Sequence, residues 1–312
     1  MSERLLITGV SGFIGQHLVE ALSGRFEVHG VYESPASRLK NPQLPDGQQH
    51  LCDLKDAAAV ERVVADVDPH FVLHLAAKSE VALSFSNYLE VTDVNYKGTV
   101  ALAEACRKHA PSLKLFVMAS TMETYGHQDP ADGPFTEETE QRPMAPYAVA
   151  KLACEKYLAY MQYAYDFPFT ILRQTNSYGR TDNDFFVVER IITQMVQGDV
   201  CNLGEPDPVR NLLWIGDLVD LYERILEAPE LAVGETFVTG PDNGLTIRDL
   251  AHLIRAKLDW QGTINWHTIP KRPGEIYYLC SRADKAEKVL GWTPKVSLSE
   301  GLDRTIAIWR DR

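Results

Sequence analysis

Cysteine is scarce: of 312 residues only five, Cys52, Cys106, Cys154, Cys201 and Cys280, are cysteines, and no two form a CxxC pair. An odd, scattered set excludes a disulfide scaffold, so free thiols in a reducing compartment are expected. His74, His127 and His267 lack metal-ligand spacing, and no metal is expected. No apolar run approaches the ~20 residues that span a bilayer. No basic segment followed by an apolar one opens the sequence, so no membrane partner and a cytoplasmic location are expected. Positive charge is also short, with 31 Lys and Arg against 43 Asp and Glu and a net charge of -12. That balance argues against nucleic acid or an anionic membrane as a partner. An anionic substrate would need a local cluster of Arg or Lys working against the global field. Repeats and low-complexity tracts are absent. What is present is ordinary for a globular chain, 45% hydrophobic and 24% charged residues. The length allows one large domain or a domain with a smaller companion.

Apolar runs alternate with amphipathic segments through the first two thirds. Leu5-Leu6-Ile7, Val28 to Tyr32, Phe71 to Leu75 and Leu115 to Met118 read as buried strands. Helical patterns are expected from Gly15 to Ser23 and from Val94 to Lys108. This order predicts an α/β chain with a parallel sheet and helices on both faces. After about Tyr178, Pro and Gly become frequent, as in Gly204, Pro206, Pro208, Pro270, Pro273 and Gly274. Short helices, Phe185 to Gln197 and Thr246 to Lys257, are expected there, in a smaller lobe closing over the strand ends. The stretch Gln128 to Ala145, rich in Pro and acidic residues, is expected to cover the site.

The turn Thr8-Gly9-Val10-Ser11-Gly12-Phe13-Ile14-Gly15 follows the first strand and opens a helix. Such glycines let backbone approach a pyrophosphate at a helix N-terminus, so dinucleotide binding through Gly9, Gly12, Phe13, Ile14 and Gly15 is expected. Further along, Tyr147-Ala148-Val149-Ala150-Lys151 places a Tyr and a Lys on one helix face. The Lys ammonium can lower the phenol pKa, and the phenolate can take a proton from an alcohol as hydride leaves. Ahead of the pair lies Ser120-Thr121-Met122-Glu123, a hydroxyl and a carboxylate at a strand end. Glu123 is a second base, for which a simple alcohol oxidation has no use.

The GxxGxxG spacing with YxxxK resembles the extended short-chain dehydrogenase/reductases, the NAD-dependent epimerase/dehydratase family, and motifs match along almost the whole chain. The resemblance implies a Rossmann-type doubly wound parallel sheet with a smaller α/β substrate-binding lobe. It divides the chain into an NAD-binding domain, 1–175 with a return segment near 210–240, and a nucleotide-sugar lobe, mainly 176–312. Asp53 and Leu54 resemble the family's adenine-side pair, Leu75-Ala76-Ala77 its strand end beside the cofactor, and Asn95 its helix-bending Asn; all are expected at the cofactor. The second strand ends Gly30-Val31-Tyr32-Glu33, with the ribose-binding carboxylate one place later than the family's Asp. Arg38 nearby could hold a 2′-phosphate, but NAD is the expected cofactor.

Within the family, the residues after the catalytic Thr or Ser separate the reactions. Epimerases carry small, non-acidic residues there, whereas 4,6-dehydratases carry Asp-Glu or Ser-Glu. Met122-Glu123 therefore points to a dehydratase. Oxidation at C4 of a hexose acidifies the C5 hydrogen, Glu123 removes it, and the C6 hydroxyl leaves. Thr121, Tyr147 and Lys151 are the expected oxidation groups. Met122 cannot donate a proton, which favours hydride return to C4 and a 5,6-alkene. In this family Asn176, Arg210 and Arg272 are implied at the diphosphate of a UDP-sugar, with Ser120 and Lys78 as further substrate contacts. UDP-N-acetylglucosamine is the leading substrate expectation. A 4,6-dehydratase, a 4-epimerase, a decarboxylase and a non-catalytic NAD(P)-sensing regulator are the alternatives. The resemblance also implies a homodimer through the YxxxK helix and the helix near Asn95, structural roles for Asp217 and Gly291-Trp292-Thr293-Pro294, and a late Arg272-Pro273-Gly274-Glu275 turn.

Overall fold

Runs of Leu, Ile, Val and Phe without polar alternation are satisfied only when both faces of a strand are covered. The computed structural model, which describes residues 2–38 and 44–310, builds them into a seven-stranded sheet. Its strands are β1 (Arg4–Thr8), β2 (Glu27–Tyr32), β3 (Gln49–Leu51), β4 (Phe71–His74), β5 (Leu115–Thr121), β6 (Phe169–Gln174) and β7 (Thr236–Val238). The order is β7-β6-β5-β4-β1-β2-β3, parallel throughout. The order in which strands are added reverses at β1, whose neighbours are β2 and β4, so a crevice opens at the carboxyl ends of these strands.

Alternate side chains divide between two cores. Leu5, Ile7, Leu73 and Val117 pack with α1 (Phe13–Leu22) through Leu18 and Leu22, and with α6 (Ile215–Glu227) through Leu218, Leu221 and Ile225. Leu6, Val72, Phe116 and Met118 face α2 (Ala57–Val67), α3 (Gly98–His109) and α4 (Pro146–Tyr165) through Val64, Leu102, Cys106 and Leu158. Asp56 caps α2 by accepting from Ala59 N at 3.0 Å, and Pro146, which needs no N–H partner, starts α4. The segment expected as helix from Val94 begins instead in a wider π turn, Thr92–Lys97. There the Asn95 carbonyl accepts from Thr99 Oγ1 at 2.5 Å and from Cys154 Sγ at 3.1 Å.

Beyond β6 the chain leaves the sheet. Short strands pair Asn176–Tyr178 with Leu212–Trp214, and Val209–Arg210 lies between Leu245–Thr246 and Tyr278–Leu279. A third core joins α5 (Val187–Gln197), α7 (Ile247–Leu258) and α8 (Leu298–Arg310) through Ile191, Ile192, Leu250, Ile254 and Leu302. Thr246 caps α7 by accepting from Asp249 N at 3.0 Å. Asp217, at the start of α6, is buried and accepts from Val296 N at 3.0 Å, and its carbonyl accepts from Trp292 Nε1 at 3.1 Å. That pair fastens the Gly-Trp-x-Pro segment. Among the described residues all five thiols are free and buried, no cluster fits a metal ion, and no helix is long and apolar enough to cross a membrane.

Candidate active site

A cleft of about 750 Å³ runs from the glycine turn to the second lobe, a size suited to small-molecule binding. At one end Gly9 sits at φ +69°, and a Cβ there would come within 2.8 Å of Ala76 N. A Cβ on Gly15 would fall 2.5 Å from Gly9 O, so α1 starts hard against the turn. Gly12, Phe13, Ile14, Asp53, Leu54, Leu75, Ala76 and Ala77 line the same end. A helix N-terminus, a close backbone and small side chains form a cradle that fits a dinucleotide diphosphate. Glu33 lies at its rim, 3.3 Å from Lys78 Nζ, with Glu90 3.6 Å from the same ammonium. Arg38 is turned to Asp46 at 2.5 Å and does not line the cleft.

Two expected contacts change place. Asn95 is fully buried behind the cleft. Its Oδ1 accepts from Lys78 N at 2.8 Å and its Nδ2 donates to Lys78 O at 3.1 Å, so it pins the loop after β4 and does not line the cofactor cradle. Lys78, expected at substrate, stands at the Glu33 rim because two carboxylates hold its ammonium there.

At the other end β5 delivers Ser120, Thr121 and, in a 3₁₀ turn (Met122–Tyr125), Glu123. Thr121 Oγ1 accepts from Glu123 N at 3.2 Å. Tyr147 and Lys151 enter from the first turns of α4, both buried. Lys151 Nζ donates to Ala119 O at 2.7 Å. Burial raises the Tyr147 phenol above its ordinary value and the Glu123 charge adds to this, while a hydrogen bond with Thr121 opposes them. Burial pulls Lys151 itself down, and one of its three N–H donors is held by the Ala119 carbonyl.

Met122 is a clear correction. Its side chain is fully buried among Tyr125, Phe135, Val238, Ile276 and Leu279, and Ser281 Oγ donates to its sulfur at 2.8 Å. The 3₁₀ turn sends Met122 into the core and Glu123 into the cleft, so Met122 touches neither reacting group. The stretch Gln128 to Ala145 is corrected too: none of it lines the cleft. Phe135 plugs the core under Met122, with its N–H on Cys280 O at 2.7 Å. The segment braces the catalytic turn from behind.

Arg210 and Arg272 reach the cleft from the second lobe, with Asn176 nearby. Both arginines meet Glu275. Arg272 holds it with Nε at 3.0 Å and Nη2 at 3.1 Å, and Arg210 Nη2 lies 3.4 Å away. Arg272 Nη2 is also 3.9 Å from Glu123. Burial lowers Arg210, with Glu123 opposing. For Arg272 burial pulls the same way, but Glu275 and Glu123 outweigh it and the guanidinium stands above its ordinary value. The arrangement suits a divalent oxyanion beside a base, because forked N–H groups match phosphate oxygens.

Residues that sequence reasoning missed also shape the cleft. Arg180 is stacked 4.3 Å from the Phe13 ring and 3.7 Å from the Phe186 ring, tying the glycine turn to the second lobe. Glu155 and Arg173 form a buried pair behind Ser120 at 2.8 Å. Glu155 lies one turn beyond Lys151 on the same face of α4, a spacing that could have drawn attention to it.

The family model described as GDP-mannose 4,6 dehydratase matches residues 6–305. A dTDP-D-glucose 4,6-dehydratase of Homo sapiens is 28% identical over 327 residues, covering 99% of this chain and 91% of its own. A UDP-glucose 4-epimerase of the hyperthermophilic eubacterium Thermotoga maritima, solved with UDP-glucose, has a TM-score of 0.90 at 28% identity and covers 99% of both chains. The UDP-glucose 4-epimerase of Thermus thermophilus, solved in complex with NAD, has a TM-score of 0.88 at 28% identity, covering 98% of this chain and 99% of its own.

Proposed function

The chain belongs to the GDP-mannose 4,6 dehydratase family, whose NAD-dependent enzymes dehydrate or epimerise nucleotide sugars, and from that premise we propose that it dehydrates UDP-N-acetylglucosamine across C5–C6. The observation carrying the dehydratase reading is the Glu123 carboxylate in one cleft with Thr121, Tyr147 and Lys151. An epimerase needs no base beyond the Tyr.

The cofactor is NAD, for which the glycine cradle and Glu33 fit while Arg38 is engaged with Asp46. When bound it supplies the hydride acceptor and donor, and a positive charge that favours the phenolate. Thr121 and Tyr147 share the C4 hydroxyl, and Tyr147 takes its proton as C4 is oxidised. Lys151 supports that phenolate. Glu123 removes the acidified C5 proton and passes it to the departing C6 hydroxyl, which leaves as water and frees the carboxylate again. Tyr147 returns its proton when C4 is reduced, so the sequence is redox-neutral. Arg210, Arg272 and Asn176 hold the UDP diphosphate.

The 5,6 outcome is supported by resemblance: the sequence resembles the UDP-N-acetylglucosamine 5,6-dehydratase of tunicamycin biosynthesis, which would give the protein a role in antibiotic assembly. A second reading, 4,6-dehydration, is favoured by the family description and by the human relative's name. Product NMR after incubation with UDP-N-acetylglucosamine in deuterated water decides. An exocyclic alkene supports the 5,6 reading, and a C6 methyl with deuterium at C5 overturns it.

We further assign a homodimer through α4 and the Thr92–His109 helix. Val149, Tyr160 and Tyr163 of α4 are 53%, 46% and 93% exposed, a large apolar face for a surface helix. Light scattering at the monomer mass would remove this assignment. The unpaired thiols fit a cytoplasmic location.

A further inference from the structure

Tyr147, Lys151 and Glu155 succeed one another at four-residue spacing on α4, so they share a face. The first two meet the cleft, but Glu155 is 3% exposed and faces a different set of partners. Its carboxylate accepts from Ser120 Oγ, from Gln141 Nε2 at 2.9 Å and from Arg173 Nη2 at 2.8 Å and Nε at 3.1 Å. Arg173 stands opposite Ser120 in the β5–β6 register. Its remaining nitrogen, Nη1, donates to Tyr125 Oη at 2.8 Å and to Glu137 O at 3.1 Å.

This single ion pair therefore ties five segments together. They are the catalytic helix, β6, the end of β5, the 3₁₀ turn carrying Glu123, and the bracing stretch from Gln128 to Ala145. A buried ion pair gains little net stability over an apolar pair of the same volume. What it supplies is direction, since a forked guanidinium fixes several acceptors at once. Thr121 and Lys151 are held independently, by β5 itself and by the Ala119 carbonyl. Tyr125 closes the turn two residues after Glu123, and the Arg173 bond is the side-chain hydrogen bond on its hydroxyl.

We propose that Glu155 and Arg173 are positioning residues for the base. Acting through Tyr125, they set the turn that aims the Glu123 carboxylate, and leave the hydride machinery of Tyr147, Lys151 and Thr121 to its own supports. The proposal rests on Glu123 being the C5 base, and it separates two steps of one reaction by what each is anchored to.

The test uses the full-length NAD-loaded enzyme with UDP-N-acetylglucosamine in deuterated water. Reduced-nicotinamide absorbance reads C4 oxidation, and NMR reads C5 deprotonation, as the rate of alkene formation and as deuterium entering C5 of recovered substrate. Tyr125→Phe keeps the ring packed on Phe135, with centroids 4.8 Å apart, and removes only the hydroxyl. Arg173→Lys keeps the charge and loses the fork. Both variants should slow C5 exchange by roughly 10- to 100-fold, the scale of a base displaced by about 1 Å, while C4 oxidation stays within about threefold of native. Thermal melting checks folding, and Tyr125→Phe serves if Arg173→Lys is unstable. Equal loss of oxidation and exchange in Tyr125→Phe would overturn the positioning role. Glu123→Gln is run in parallel: if it still exchanges C5 of recovered substrate or forms the alkene at the native rate, the base assignment fails and this proposal falls with it.

Discussion

Replacing Glu123 by Gln removes one charge and little volume, so its effects on chemistry and on stability can be told apart. The Glu123 side chain is 10% exposed, and Arg272 Nη2 lies 3.9 Å from its carboxylate. Arg272 keeps its two bonds to Glu275 in the variant, but buried Arg210 loses the leading charge that favours it, so a lowered melting temperature is expected beside the kinetic effect. Loss of a general base typically slows its step by 10²- to 10⁴-fold, which is about 3 to 5 kcal/mol at ~1.36 kcal/mol per decade. The oxidation step should respond in the opposite sense. The Glu123 charge helps hold the Tyr147 phenol above its ordinary value. Removing it brings the phenol down, and because Tyr147 acts deprotonated, the pH profile of C4 oxidation should move toward lower pH. The assay follows reduced nicotinamide by absorbance and C5 deuterium by NMR in the same sample. Accumulating reduced cofactor with C5 exchange depressed at least ~100-fold is expected. Exchange within about threefold of native would refute the role of Glu123.

Met122→Asp should not install a proton donor. It would bury a carboxylate among Tyr125, Phe135 and Leu279 and cost about 3 to 5 kcal/mol, seen as a lowered melting temperature with the product unchanged; a stable variant making a C6-methyl product would contradict the buried placement. Glu33→Ala should weaken NAD binding by roughly 10- to 100-fold, the worth of a charge-assisted hydrogen bond. Since Arg38 remains with Asp46, it should gain no NADP preference; calorimetric titration with both nucleotides reads this directly. His74, between Thr8 Oγ1 at 2.7 Å and Thr99 Oγ1 at 2.8 Å, is pushed down to about 3 by burial and then by Lys151, against 6.5 for a free imidazole. The unfolded chain therefore binds a proton that the folded one refuses, and stability falls as pH drops below the unfolded value. The loss from His74 should reach ~2 kcal/mol by about pH 5. Denaturant titrations of His74→Gln across that range should show a shallower slope by about one proton, and an unchanged slope would exclude the assignment.

Features written in short spacings were legible in the sequence. The glycine turn, the Tyr147/Lys151 pair and the buried strands each depend on neighbours within one turn or strand, where backbone geometry dictates direction. Met122 was misread because side-chain direction beyond the end of β5 is set by a 3₁₀ turn and by Phe135 and Leu279 arriving from elsewhere. Asn95 and Lys78 were read as ligand contacts, but they answer mainly to each other's backbone and to Glu33. The Glu155–Arg173 pair crosses from helix to strand, and only its helical half had a periodic signal. Arg180 gave no signal, because the rings that enclose it come from two lobes.

The path of the chain through the sheet has a consequence for fragmentation. The polypeptide departs after β6, builds most of the second lobe's strands, and returns with α6 and β7 before leaving again. A piece ending at residue 175 would strip β6 of its outer neighbour and deprive α1 of the helix it packs on. One face of the sheet would then lie open to water, and β6 would become an unpaired edge. The nucleotide cradle is thus no detachable cassette, and the halves of this molecule must fold in one cooperative act or be cut at two places at once.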